Sequence, residues 1–333
     1  MSDSSPTSSP DFVAVRTQAL DILIIEKFVR PLAAFIPRKV TPNQITMVTP
    51  VFTTLCFVVA VLAARSENKN LALLYGLLAG LFCLGSMVTD HLDGMHARDT
   101  GQSSKLGEIL DHWVDSYSVT LLILALPASI GARGPLVSLA VTTGAMVYHT
   151  QLLVYRTTGK FVYPPTGGAA SAVLLSLALA VVALIVRFVP AATEHHDYFV
   201  MIVLCLMTFG NVTNIRFYFQ QLNKDRTLSL FFFLAYAMVS LAYHFNFVQF
   251  WVAAALWLTL SFRISGSLVL YTVTKNAHRG FEPALLGGIF LLFPVGFFFS
   301  SPVFLGLGGA TLLSALIIAS ALFLNLKDFK KLT

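Results

Sequence analysis

Ten apolar stretches, each near the roughly 20 residues that a helix needs to cross a bilayer core, run through this chain: 45–64, 71–90, 109–130, 135–155, 169–189, 198–219, 227–245, 247–273, 281–300 and 303–325. Hydrocarbon tolerates only backbones that satisfy their own polar groups, as helices and closed barrels do. Uniformly apolar runs of this length belong to helices. Only 11% of the 333 residues are charged, against about 25% in a soluble domain. The expected fold is an all-α polytopic membrane protein with about ten transmembrane helices, not a soluble domain with an anchor.

Residues 1–10 are Ser/Pro-rich and predicted disordered. Residues 11–40 are expected to form an amphipathic helix lying in the membrane interface, with Val13, Leu20, Leu23, Ile24, Phe28 and Leu32 set against Arg16, Glu26, Lys27 and Arg30. They lack the short apolar core and small-residue cleavage site of a signal peptide. Residues 41–220 then form a six-helix unit and 221–333 a four-helix membrane region. Cys56, Cys83 and Cys205 all fall in apolar runs, so buried thiols are expected, not a disulfide framework or a metal site.

Orientation follows from Lys and Arg. With ten spans, 17 of the 22 basic residues, among them Arg38, Lys39, Lys105, Lys160, Lys224 and Arg279, fall on the side of the termini. The positive-inside rule makes that side cytoplasmic. The net charge of +6 is a matter of orientation and of membrane lipids as partners, and indicates no nucleic acid.

The chemistry concentrates in one place. Six of the 16 acidic residues lie between Asp90 and Asp115, near the cytoplasmic ends of the second and third spans, where an ionised carboxylate is costly and usually functional. Asp90 and Asp93 are i, i+3; Asp111 and Asp115 are i, i+4. Each pair projects from one face of its helix. Two antiparallel helices joined through 98–106 would bring the four carboxylates together, where they repel unless cations lie between them. All-oxygen ligation favours Mg²⁺ or Mn²⁺, with Ca²⁺ also compatible, and two such ions suit a pyrophosphate substrate. Gly94 and Ala97 leave that helix face open to a ligand, Gly107 permits a tight entry or another close contact, and Arg98 suits a phosphate or a lone carboxylate.

Taken whole, Asp90-x2-Asp93-Gly94-x2-Ala97-Arg98-x8-Gly107-x3-Asp111-x3-Asp115 resembles the signature of the CDP-alcohol phosphatidyltransferase family at all eight fixed positions. Thr41-Pro42-Asn43-Gln44-Ile45-Thr46 resembles that family's entry into its first span. The resemblance implies a CDP-alcohol and a lipid acceptor as substrates. It implies Asp90, Asp93 and Asp111 as ligands of two divalent ions, with Asp115 completing the second site or receiving a proton. It also implies Gly94, Ala97, Arg98, Gly107 and Asn43 around the CDP moiety. The run Gly107-Glu108-x-x-Asp111-His112 is most similar to the choline/ethanolamine phosphotransferase branch, although Trp113-Val114 stand where that branch typically has Gly-Cys. Glu108 and His112 are i, i+4, so the carboxylate can orient the imidazole, and His112 competes with Asp115 as base near neutral pH.

Two other functions fit more loosely. One keeps the family but takes CDP-diacylglycerol as donor and a small polar alcohol as acceptor; the other is a cation-coupled transporter, which does not require the Gly94, Ala97, Arg98 and Gly107 spacing. Outside the motif, His91 and His96 lie off the aspartate face and are expected at solvent or headgroups. Tyr148, His149 and Gln151 either line the site or pack. Asn211, Asn214 and Arg216 suggest inter-helix hydrogen bonds, and Arg263, between Ser261 and Ser265, suggests a homodimer contact or an anionic-lipid site.

Overall fold

The computed structural model describes residues 13–15, 19–164, 168–222, 226–245 and 248–274. Eight of its helices are long and apolar enough to cross a membrane. The two further spans expected at 281–300 and 303–325 and the disordered terminus expected at 1–10 lie outside the described residues. The first long helix is seeded by α3 (Pro42–Thr46), whose Thr41 and Gln44 form a reciprocal capping box behind Pro42. It continues into α4 (Thr49–Arg65). Asn68 caps α5 (Lys69–Thr100) through the amides of Asn70 and Leu71. Gly101, in the left-handed region at φ +70°, ends it, and only residues 101–104 separate it from α6 (Lys105–Ala128), capped by Ser104 on Gly107 N at 3.0 Å.

The α5–α6 pair departs from expectation in length. The apolar runs end at residue 90 and resume at 109, yet helix continues through the charged ends on both sides. Hydropathy marks where hydrocarbon ends, whereas these helices run on to their caps.

The remaining helices are α7 (Pro135–Thr158), α8 (Ala169–Phe188), α9 (Pro190–Phe219), α10 (Arg226–His244) and α11 (Phe250–Thr274). Helix α5 packs on α4 and α8, and α6 on α4, α7 and α11. Helix α7 is the centre of the bundle: 89% of its apolar window is enclosed, against 22% for α8. Leu81, Leu174, Leu177 and Phe209 face outward, as lipid-facing positions do. Cys56 and Cys83 are buried, but Cys205 is exposed on α9, so buried thiols hold for two of the three.

The amino-terminal segment is not the single helix expected over 11–40. It divides into a strand β1 (Val13–Val15), helix α1 (Ala19–Ile24), a π-helical turn (Ile25–Val29) and helix α2 (Arg30–Ala33). Strand β1 pairs in parallel with β2 (Lys160–Val162). The physical cause lies in Asp21. Its carboxylate is 1% exposed and accepts the Ala170 amide at 2.7 Å, satisfying an orphan N–H at the start of α8. Ile24, Ile25 and Val29 turn inward onto Met87, Leu92 and Met95, while Leu20, Leu23, Phe28 and Phe35 stay exposed, which keeps part of the predicted amphipathic character.

Helices α5 and α8 approach most closely at Gly76, where an added Cβ would collide with the Ala183 Cβ. Gly76→Leu is therefore expected to cost about 1–3 kcal/mol by overpacking and to lower the melting temperature of the detergent-solubilised protein. Gly101→Ala, in open space, tests backbone strain alone at the αL position in the same melt.

Candidate active site

Helix α3, the end of α5 and the start of α6 enclose a cavity of about 280 Å³ lined by Asn43, Thr46, Asp93, Gly94, Ala97, Arg98, Lys105, Gly107, Glu108, Asp111 and His112, among others. The caps explain its position. Thr41 and Pro42 start α3, which packs against both α5 and α6, and the four-residue turn after Thr100 brings the start of α6 to the end of α5.

All four aspartates converge. Asp111 lies in the fields of Asp93, Asp90 and Glu108, with Arg98 as the opposing charge. Asp115 in turn lies in the fields of Asp90, Asp111 and Asp93. Asp93 is 3% exposed; its Oδ2 accepts the Thr46 hydroxyl at 2.5 Å and its Oδ1 the Gly94 amide at 2.5 Å. One donor atom from each of Asp111, His112 and Asp115 lies within 4.8 Å of the others. Carboxylates gathered together, Asp93 buried and the other three half-buried, with one guanidinium among them, are what a hard divalent cation relieves. The donor set therefore fits such an ion.

The residues expected around a nucleotide gather at the same cavity. Arg98 folds over Gly94, where an added Cβ would lie 3.3 Å from its guanidinium. At Gly107 the same atom would lie 3.1 Å from Asn43 Oδ1, so Gly107 lets α3 and α6 approach across the cavity. Ala97 keeps the wall low between them.

His112 lines the cavity and is only 2% exposed. Its Nδ1 is 3.8 Å from Asp115 Oδ2, and the Tyr148 hydroxyl donates to its carbonyl at 2.7 Å. Glu108 accepts a hydrogen bond from the Tyr155 hydroxyl. The orienting carboxylate expected from spacing is thus held by a tyrosine of α7, and a second carboxylate, Asp115, stands beside the imidazole.

The expectation for two histidines is corrected. His91 and His96 do not reach solvent or headgroups: they are 8% and 2% exposed, with His91 Nδ1 2.9 Å from the Met87 carbonyl and His96 Nε2 2.8 Å from the Val40 carbonyl. Asp99 pairs with Arg30 at 3.8 Å, drawing the amino-terminal segment onto the end of α5. Asn211 bonds Thr143 on α7 at 3.2 Å, the inter-helix role expected of it. Trp113, the departure from the resembled branch, points away from the cavity. Its indole donates to the Phe262 carbonyl at 2.9 Å and lies where Gly266 has no side chain. The sequence does not single out Thr46 or Tyr155 as site residues; a threonine at the edge of an apolar run and a helix-end tyrosine carry no chemical signature of their own.

Residues 39–210 match the CDP-alcohol phosphatidyltransferase family, and the chain belongs to that family. Among curated proteins it is 27% identical over 159 residues to the ethanolaminephosphotransferase 1 of Mus musculus, covering 45% of this chain and 37% of that protein. It is 28% identical over 115 residues to the cholinephosphotransferase 1 of Saccharomyces cerevisiae, covering 32% and 28%. It is also 28% identical over 178 residues to the CDP-diacylglycerol–serine O-phosphatidyltransferase of Encephalitozoon cuniculi, covering 50% and 43%. In each case the match spans less than half of the relative's length.

Thr46→Val removes the hydroxyl that fixes Asp93 while keeping its volume. Outer-shell losses of this kind typically cost 10–100-fold in metal affinity, so Mn²⁺ binding followed by calorimetry is expected to weaken by about tenfold or more.

Proposed function

We propose that this protein transfers phosphocholine or phosphoethanolamine from the matching CDP-alcohol to a lipid hydroxyl such as that of diacylglycerol, releasing CMP at a site facing the cytoplasm. The observation that carries this reading is His112: it lines the cavity directly after Asp111, with Glu108 one turn earlier, in the Gly-Glu-x-x-Asp-His run of the choline/ethanolamine branch. Similarity to an ethanolaminephosphotransferase and a cholinephosphotransferase supports it.

In this reading Asp90, Asp93, Asp111 and Asp115 hold two divalent ions, Mg²⁺ or Mn²⁺. Bound there, the ions supply Lewis-acid neutralisation of the pyrophosphate and of the departing CMP. Asn43, Gly94, Ala97, Arg98 and Gly107 cradle the CDP moiety, with Arg98 placed for a phosphate. The acceptor hydroxyl gives its proton to His112 as its oxygen bonds to the β-phosphorus. The bond from that phosphorus to the CMP oxygen breaks, and CMP leaves carrying the bonding pair.

A second reading rests on the similarity to a CDP-diacylglycerol–serine O-phosphatidyltransferase: the donor is CDP-diacylglycerol and the acceptor a small polar alcohol. Purified protein with Mg²⁺ or Mn²⁺, each of CDP-choline, CDP-ethanolamine and CDP-diacylglycerol, and diacylglycerol or serine separates the two through the donor that releases CMP. The proposal predicts release from a CDP-amino alcohol with diacylglycerol; release from CDP-diacylglycerol alone would replace it with the second reading. Asp111→Ala is expected to abolish turnover. His112→Ala is expected to lower kcat by about 10²–10⁴-fold, the usual scale of a general base, with donor binding retained.

A further inference from the structure

His112 packs against aromatic residues outside the motif. Its ring stacks on Phe161 of β2, centroids 4.6 Å apart and planes 15° apart. Tyr155, which also holds Glu108, meets it edge-on at 5.7 Å. Phe161 is 3% exposed and braced edge-to-face by Tyr155 at 5.8 Å and Tyr163 at 5.4 Å. The strand that carries it is itself pinned. Gly159, at φ +70°, turns the chain back from α7. The Val162 carbonyl then accepts Gln151 Nε2 at 2.9 Å and the Tyr218 hydroxyl at 2.8 Å, and β1 pairs along the strand.

These contacts restrain different freedoms. The Tyr148 hydroxyl holds the backbone of His112 through its carbonyl. Rotation of the ring about χ2 is soft and roughly two-fold in histidine, so neither the backbone nor χ1 fixes the ring plane. A flat aromatic surface parallel to the imidazole does fix it, because tilting the ring would break the stack. A half-turn keeps the plane, and Asp115, 3.8 Å from Nδ1, distinguishes the two edges. We infer that Phe161 is a positioning residue for His112: stacked on the imidazole, it holds the ring in the plane that points one edge at Asp115 and the other toward the cavity. The inference rests on the proposed role of His112 as proton acceptor. A ring tilted out of that plane would turn its basic nitrogen out of line with the acceptor hydroxyl, so the stack governs turnover, not substrate or metal binding.

The test uses full-length protein with Phe161→Leu, Phe161→Met and Phe161→Tyr, each with His112 intact and with His112→Gln. Met supplies a second ring-free variant of different shape should Leu impair folding. An aromatic pair of this kind shifts a population by up to about tenfold. Phe161→Leu and Phe161→Met are expected to lower kcat by about that factor with donor KM and metal activation within about twofold of the parent, and Phe161→Tyr, which keeps the ring face, to restore kcat. In the His112→Gln background the Phe161 changes should produce no further loss. Ring ¹⁵N NMR of histidine-labelled protein gives a readout without turnover. The His112 signals, identified by their loss in His112→Gln, should be single in the parent and Phe161→Tyr, and broadened or doubled in Phe161→Leu and Phe161→Met. Unchanged His112 signals in the ring-free variants, or an equal loss of kcat in both backgrounds, would overturn the inference. If the parent released no CMP from any donor, the proposed function would fall while the NMR comparison still decided the stack.

Discussion

The arrangement turns on mutual repulsion among Asp90, Asp93, Asp111 and Asp115. Two unit charges 4 Å apart repel by about 4 kcal/mol even at the effective dielectric near a protein surface, and these four sit between helices of a membrane bundle. Such a cluster persists when neighbours hold each carboxylate and protons or a cation relieve the repulsion. Much of the surrounding sequence does the holding. Thr46 fixes Asp93, Arg98 opposes Asp111, and Tyr148 reaches toward Asp115 with an oxygen separation of 3.5 Å. The caps at Thr41, Gly101 and Ser104 set the three helix ends at which those residues meet.

The second half of the described chain supports this centre. Helix α11 grips α6 beside the site: Trp113 lies against Gly266 and bonds the Phe262 carbonyl, and Ser261 donates to the Ser116 carbonyl at 3.0 Å. Helix α7, enclosed on nearly all sides, presents Tyr148 and Tyr155 to α6 and carries β2 after it. An enclosed position lets α7 include polar residues such as His149, Thr150 and Gln151, which a lipid-facing helix would not tolerate.

The carboxylate cluster is legible in the sequence because acids at i, i+3 and i, i+4 at the ends of long apolar helices are costly and usually functional. The six long helices between residues 42 and 219, and two beyond them, are legible for a similar reason: hydrocarbon demands length and apolarity. The amino-terminal segment is not, since a single inward carboxylate, Asp21, overrides its amphipathic pattern by capping a helix about 150 residues further on. Phe161 is equally silent. It belongs to a three-residue strand whose place depends on Gly159, Gln151 and Tyr218, contacts that no local periodicity encodes. The burial of His91 and His96 also depends on partners, here backbone carbonyls on α5 and before α3.

The four-residue turn between α5 and α6 bears on how the chain enters the membrane. Asn43 and Thr46, at the start of the first long helix, lie at the same end of the bundle as that turn. In the proposed orientation, with the site facing the cytoplasm, the first two long helices enter as a hairpin whose translocated tip is residues 66–68, leaving the residues of the carboxylate cluster on the side from which they came. The acids need never be dragged through hydrocarbon, a passage that would cost several kcal/mol for each charge. Placing them next to a tight turn is thus a solution to biogenesis as much as to binding.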